Sequence, residues 1–169
     1  PQVYAEKISE KVFPYLTAEV IRYNSKPTWC LESNGDVVKV NKSEIIIIAD
    51  GSNSGEVFIG YEGALASTMG KLKIQDTKVM TEFLYWFIKM NFLNLNKPKR
   101  GSAIPHLEKN IFYNLLIPLP PLSEQKRIAA YLKEKIDQAE KLRETLEKEL
   151  ETINALPQSI LSKAFRGEI

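Results

Sequence analysis

Hydrophobic and polar positions along this 169-residue chain change character partway through, and each half predicts a different architecture. Over residues 8–74 short apolar runs alternate with turn residues, a pattern that suits a sheet. Strands are expected at residues 37–40, 45–49, 56–59 and 70–74. Turns are expected at Ser33-Asn34-Gly35, Asp50-Gly51 and Glu62-Gly63, where Gly or Asn can take a positive φ. The four isoleucines from Ile45 are β-branched and too few for a helix, so they read as a strand buried on both faces at the centre of the sheet. From Thr81 to Met90 an N-cap residue, a first-turn carboxylate at Glu82 and dense apolar residues predict a mostly buried helix ending near Asn94. Residues 96–102 form a loop by their Pro and Gly. Leu115-Leu116-Ile117 reads as a last strand before the proline-broken Pro118-Leu119-Pro120-Pro121.

After this segment the pattern becomes that of one long helix. Ser123 is a good N-cap and Glu124 favours the helix N-terminus. Apolar residues then recur at Ile128, Leu132, Ile136, Ala139, Leu142, Leu146, Leu150 and Ile153. The mean step is about 3.57 residues, between the straight-helix and coiled-coil periods. A stripe this narrow, with charged and polar residues elsewhere, needs a partner helix in another molecule or another domain. The alternative is a helix folded back on its own domain. From Glu124 to Leu156 it would be about 50 Å long, more than a domain of this size covers with its own core. Pro157 is expected to end or kink it, ahead of a short amphipathic segment with Ile160, Leu161, Ala164 and Phe165. The chain thus reads as α+β: a mixed-sheet domain over residues 1–117, a Pro-rich linker over 118–122, and a long coiled-coil-forming helix with a short C-terminal helix over 123–169.

Composition narrows the class. With 44% apolar and 26% charged residues, the chain can bury one real core and carry an appendage. Its longest greasy stretch, from Ile45 to Ala49, is strand-sized, so no membrane span is expected, and no signal peptide is recognisable. The single cysteine, Cys30, has no internal disulfide partner, which fits a reducing compartment, and a cytoplasmic location is expected. The first residue is Pro1 rather than Met, which points to a processed or truncated chain. A net charge of +2 hides an asymmetry. Residues 1–70 carry 6 basic and 9 acidic side chains, residues 71–109 carry 8 and 3, and residues 123–169 carry 9 of each. The positive charge is local to the middle segment, where it suits either a polyanion site or an ordinary solvated face.

A search for catalytic signatures returns little. Asp50-Gly51-Ser52-Asn53-Ser54-Gly55 lacks the Gly-Lys-Ser/Thr of a phosphate cradle, and Asn53 stands where a nucleophile elbow needs Ser. His106, the only histidine, has no Cys or second His with which to share a metal and no triad pattern, so it reads as structural. Glu124 and Lys126 lack the matching Asp of a nuclease site. No metal site is expected. What remains is a binding signal: Lys97, Lys99, Arg100 and Ser102 in a loop whose side chains can reach phosphates or base edges, with Arg100 the best candidate for pairing with guanine. Ser52, Asn53, Ser54 and Thr68 supply short donors and acceptors, and Lys71 and Lys73 add charge. The same Ser- and Asn-rich loop also suits a plain turn.

These residues carry a family resemblance. IPLPPLSEQKRIAAYL from Ile117, the charged helix after it, and QSILSKAFRGEI from Gln158 resemble the conserved-region helix of specificity subunits from type I restriction-modification systems. IIIIADGSNSG from Ile45, the aromatic run Leu84-Tyr85-Trp86-Phe87, and GSAIPHLEK from Gly101 resemble that family's target recognition domain. The resemblance covers residues from about 45 to the end. It implies that residues 1–117 are a DNA target recognition domain without an active site. In such subunits two recognition domains each read one half of a two-part site on double-stranded DNA, and two long helices pair antiparallel as a spacer. Methyltransferase subunits dock on this scaffold and carry the cofactor, S-adenosylmethionine, so no cofactor is expected on this chain; a restriction subunit completes the enzyme. The chain departs from the family in having one recognition domain and one helix, which implies a half-length subunit that dimerises or a fragment of a longer one. A coiled-coil adaptor whose globular head binds protein is the alternative that bare composition permits.

Overall fold

The computed structural model describes residues 12–31, 37–96 and 106–168. The chain divides into two compact units, Pro1–Lys126 and Arg127–Ile169. In the first unit the described elements are β1 (Val12–Leu16), α1 (Ala18–Tyr23), β2 (Thr28–Leu31), β3 (Lys39–Val40), β4 (Ile45–Ile48), β5 (Val57–Phe58), β6 (Gly63–Leu65), β7 (Met69–Leu72), α2 (Thr81–Met90), α3 (Phe92–Leu95) and α4 (Lys109–Tyr113). The strands form two sheets, one ordered β2-β1-β6-β3 and the other β5-β4-β7. Strand β1 runs parallel to β6 and antiparallel to β2, so the first sheet is mixed, and the second is wholly antiparallel. The fold is α+β, as the pattern predicts.

Strand β4 is central to its sheet, and all four of its isoleucines are buried. Successive side chains of a strand point to opposite faces. Ile46 and Ile48 accordingly join one apolar cluster with Leu16, Ile21, Val40, Leu65 and Met69, while Ile45 and Ile47 join another with Val57, Leu84, Ile88 and Leu95. One short strand therefore forms a wall of both cores. Fully burying each such side chain is worth about 1.5–3 kcal/mol relative to leaving it exposed.

Other expectations are corrected. The expected turn at Glu62-Gly63 gives way to strand β6, which begins at Gly63. A Cβ on Gly63 would stand 2.3 Å from the Pro14 carbonyl oxygen, and its φ of 157° lies at the edge of the region that side chains avoid, so the approach of β6 to β1 requires glycine here. The aromatic helix starts at Thr81 with Met80 in the N-cap position, not Thr81, and it stops at Met90 before the separate short helix α3. Asn91 marks the break, with its side-chain amide donating to the Phe87 carbonyl. Residues 115–117 form no strand. Leu115 and Ile117 do pack on the second apolar cluster while Leu116 is 92% exposed, so the alternation is real but no ladder forms. The turn expected at Ser33-Asn34-Gly35 lies outside the described residues.

The long helix α5 (Leu122–Phe165) has 44 residues. It starts one residue before the expected cap Ser123, and the Pro121 carbonyl accepts from the Glu124 and Gln125 amides at 2.9 and 3.0 Å. Pro157 does not end it, and there is no separate C-terminal helix. Proline forfeits one backbone bond and crowds the carbonyl four residues back, at a cost of about 3 kcal/mol or more, but the turns on either side supply their own bonds. Within the second unit the pairing stripe faces solvent: Leu142, Leu146, Leu150 and Ile153 are 54–60% exposed and Ile136 is 38% exposed. The opposing charges are spent locally, with Arg143 bonded to Glu140 and Glu147 and Lys133 to Asp137.

Replacing Gly63 with Ala should lower stability by roughly 1–3 kcal/mol, since the β1–β6 contact must open or the backbone must strain. Urea unfolding checks this, and an unchanged midpoint would show that the close approach carries no weight.

Candidate nucleic-acid interface

The C-terminal end of β4 gathers loops from distant parts of the sequence. The Ala49 and Asp50 amides both donate to the Thr68 carbonyl, at 2.8 and 3.3 Å, which holds the turn into β7 against the β4 exit. The Leu107 amide donates to the Ala49 carbonyl at 2.7 Å, and Asp50 and His106 form an isolated β-bridge. Their side chains meet as well, with His106 Nδ1 2.6 Å from Asp50 Oδ1. Both are substantially exposed. His106 thus has a carboxylate partner 56 residues away that no local signal reveals.

The loop from Asp50 to Gly55 folds back on itself. The Ser54 amide donates to the Gly51 carbonyl, the Gly55 amide to the Ile48 carbonyl and the Glu56 amide to the Asn53 carbonyl. Gly51 and Gly55 take φ values of 109° and 92°, conformations open to glycine. Gly55 has a second reason: a Cβ there would stand 2.8 Å from Leu95 Cβ.

This local folding sorts the candidate residues. Ser52 is exposed, as is Thr68. Ser54 is buried to 1% exposure with its hydroxyl 3.4 Å from Asn96 Oδ1, so it faces inward and does not present its hydroxyl to a groove. Asn53 turns toward Arg22; with its carboxamide oriented so that the oxygen faces the guanidinium, it accepts from Nη1 and Nη2 at 3.1 and 2.9 Å. The same guanidinium bonds to Glu56, with Nε 2.9 Å from Oε2, and that bond holds Arg22 above its usual pKa. Arg22, Asn53 and Glu56 therefore tie α1 to the base of the loop, a role the sequence pattern does not disclose.

Lys71 and Lys73 stand elsewhere. In the β4–β7 register Met69 pairs with Ile48 and Leu72 with Ile45, so the two lysines lie toward the opposite end of the ladder from Thr68. Lys71 is 2.7 Å from Glu44. Lys73 is exposed beside a hollow of about 510 Å³ that Ser43, Glu44 and Thr81 also line. The hydrogen bond from Lys71 is the main reason that the Glu44 carboxyl sits below the usual carboxylate range. Lys97, Lys99, Arg100 and Ser102 lie outside the described residues. Among the described residues no group of three His, Cys, Asp or Glu is placed to hold a metal ion, and no helix is long and apolar enough to cross a membrane.

Comparison with known proteins places this architecture. The family model described as "Type I restriction modification DNA specificity domain" matches residues 3–152. The chain belongs to the type I restriction-modification DNA specificity family. It is 36% identical over 166 residues, 98% of its length, to the type I restriction enzyme MjaVIII specificity subunit of Methanocaldococcus jannaschii. It is 30% identical over 127 residues, 75% of its length, to the type I restriction enzyme EcoDI specificity subunit of Escherichia coli. The chain spans only 38% and 28% of these relatives. A solved structure reported as "Structural basis underlying complex assembly and conformational transition of the type I R-M system" contains a chain of the same fold. The TM-score is 0.73 at 20% identity, over 98% of this chain and 43% of that one.

The specificity-family match takes in both the sheet domain and most of α5. In this specificity chain the structure brings together Ser52, Thr68 and the Asp50–His106 pair, and it sets Lys71 and Lys73 apart.

Because the folded-state pKa of Glu44 is depressed, its ion pair adds stability above the unfolded value near 4.5, and that contribution is lost as pH falls through the folded value. Glu44→Gln should cost about 1 kcal/mol or less at neutral pH, and the gap to the unmodified chain should close on acidification. Thermal melts of the two proteins across this range check it; a gap independent of pH would assign the loss to something other than the ion pair.

Proposed function

We propose that the chain is a DNA-reading, non-catalytic part of a type I restriction-modification specificity subunit, recognising one half of a two-part site on double-stranded DNA. The observation that carries this reading is the likeness to specificity subunits across almost the whole chain. Methyltransferase subunits, which hold S-adenosylmethionine, and a restriction subunit are its partners in the complex. These assemblies work in the cytoplasm, where their DNA is.

The DNA surface in this proposal centres on the loops at the end of β4. The basic segment 97–105 is flanked by Asn96, which contacts Ser54, and by His106, which pairs with Asp50. Both flanking residues are therefore held at the loop that carries Ser52 and adjoins Thr68. Lys97, Lys99, Arg100 and Ser102 join Ser52 and Thr68 as contacts in this reading, Arg100 being suited to a guanine edge and the lysines to phosphates. Asn53 and Ser54 support the loop instead of touching DNA, and Lys71 and Lys73 add positive charge at the far end of the ladder.

The helix stripe gives the second half of the proposal. A row of leucine and isoleucine side chains more than half exposed is an incomplete core, and its near-heptad spacing suits another helix. That helix belongs either to a second copy of this chain or to the other half of a longer parent subunit. With a second copy, the twofold symmetry makes the DNA site an inverted repeat with a spacer.

Two experiments test these statements. Replacing Lys99 and Arg100 with Ala should weaken duplex binding and flatten its salt dependence by about one to two counterions' worth of slope. Unchanged affinity across salt would remove this loop from the interface. Light scattering of the chain should report a dimer at concentrations of about tens of micromolar, with Leu146→Asp shifting it to monomer. A strict monomer for the unmodified chain would exclude self-pairing and leave the parent's other helix as the partner.

A further inference from the structure

Gln125 is the largest buried polar side chain described, 1% exposed in the first turn of α5. Its carboxamide is fully engaged. Oε1 accepts the Met80 amide at 2.8 Å, while Nε2 donates to the Lys78 carbonyl at 2.7 Å and the Pro120 carbonyl at 2.8 Å. Three backbone groups from two chain segments thus converge on one side chain. Its two N–H donors are both used, so the direction of the carboxamide is fixed.

The Met80 bond has a recognisable physical role. In a capping box, a Glu or Gln at the third helical position reaches back to the N-cap amide. The third residue of α2 is Phe83, which is 6% exposed and committed to packing, and α2 has no side-chain cap bond of its own. Gln125 supplies the missing acceptor from 45 residues away. The start of α2 is capped by the start of α5.

An apolar residue in this place would add burial but would tolerate sliding. A carboxamide held by three backbone atoms does not. Shifting α5 by one residue would rotate the side chain by about 100° and move it about 1.5 Å along the axis, breaking all three bonds at once. Each buried group so orphaned costs about 1–3 kcal/mol, so slipped registers are strongly disfavoured.

We infer that Gln125 is a positioning residue, a clamp that fixes the sequence register at which the long helix leaves the recognition domain. Under the specificity-subunit reading on which this consequence rests, that register sets the separation of the two half-sites on DNA. The clamp determines spacing; the loops at the end of β4 determine sequence.

The test measures the register directly. Nitroxide labels are placed at Glu62→Cys and Lys126→Cys, both exposed positions of the first unit, in a Cys30→Ala background, and labelled chains are diluted with unlabelled ones so that only distances within a chain are read. Electron–electron double resonance should give one narrow distance for the chain with Gln125 and loss of that single peak for Gln125→Met. A narrow peak retained in folded Gln125→Met overturns the clamp. Gln125→Glu provides a second arm should the Met variant not fold. Its carboxylate would be buried facing two carbonyls, which raises its pKa, so the distribution should be broad near about pH 8 and narrow again near about pH 5, where the protonated acid donates once more. A width independent of pH overturns the proposal, because a purely space-filling role would not respond to that proton. Duplex binding by the unmodified chain is measured alongside. Absence of binding would sink the DNA reading while the distance result still decides the clamp.

Discussion

The burial of β4 on both faces is the constraint on which the rest of the first unit depends. Its four isoleucines alternate between two apolar clusters, one reaching to the β1–β6 sheet and α1, the other to α2 and α3. The loop after β4 is therefore anchored to the most deeply buried segment described. Loops placed on rigid scaffolds in this way can present polar groups in fixed geometry without themselves contributing to the core.

Function in this arrangement follows from a division between buried and exposed ends. The Thr68 carbonyl, the Ala49 carbonyl and the Asp50 carboxylate tie three chain segments to one edge of the domain. Arg22 braces the same loop from α1 through Asn53 and Glu56. Polar side chains there fall into two kinds. Ser54 and Asn53 are consumed in holding the loop, and Ser52 and Thr68 remain at the surface. A Ser- and Asn-rich loop is thus both a turn and a presenting surface, with the assignment decided residue by residue.

The second unit obeys a different physics. Helix α5 satisfies its own backbone and much of its own charge, but not its apolar stripe. Its proline is accommodated inside a helix of 44 residues. The first turn belongs to the first unit through Gln125, whose three bonds are satisfied only in one register. A polar network fully satisfied in a dry site gives up some stability relative to an apolar one and gains uniqueness in return.

The sequence by itself determined the α+β class, the central isoleucine strand, the aromatic helix and the long helix with its exposed stripe, because each is written in a local period of apolar residues. Its family resemblance was equally legible, resting on contiguous motifs. What it could not show were strands β1, β2 and β6, the last paired with β1 across a long stretch of chain, or the failure of Leu115–Ile117 to find a ladder partner despite correct alternation. Tertiary structure alone decided the fate of the polar residues. Whether Ser54 faces solvent or Asn96, whether His106 stands alone or beside Asp50, and whether Gln125 is one more polar residue on a charged helix or a clamp on α2, all depend on hydrogen bonds between residues 42 to 56 positions apart. A hydrogen bond acts over a few ångströms in space and is blind to sequence separation, so only the folded chain reveals which groups it joins.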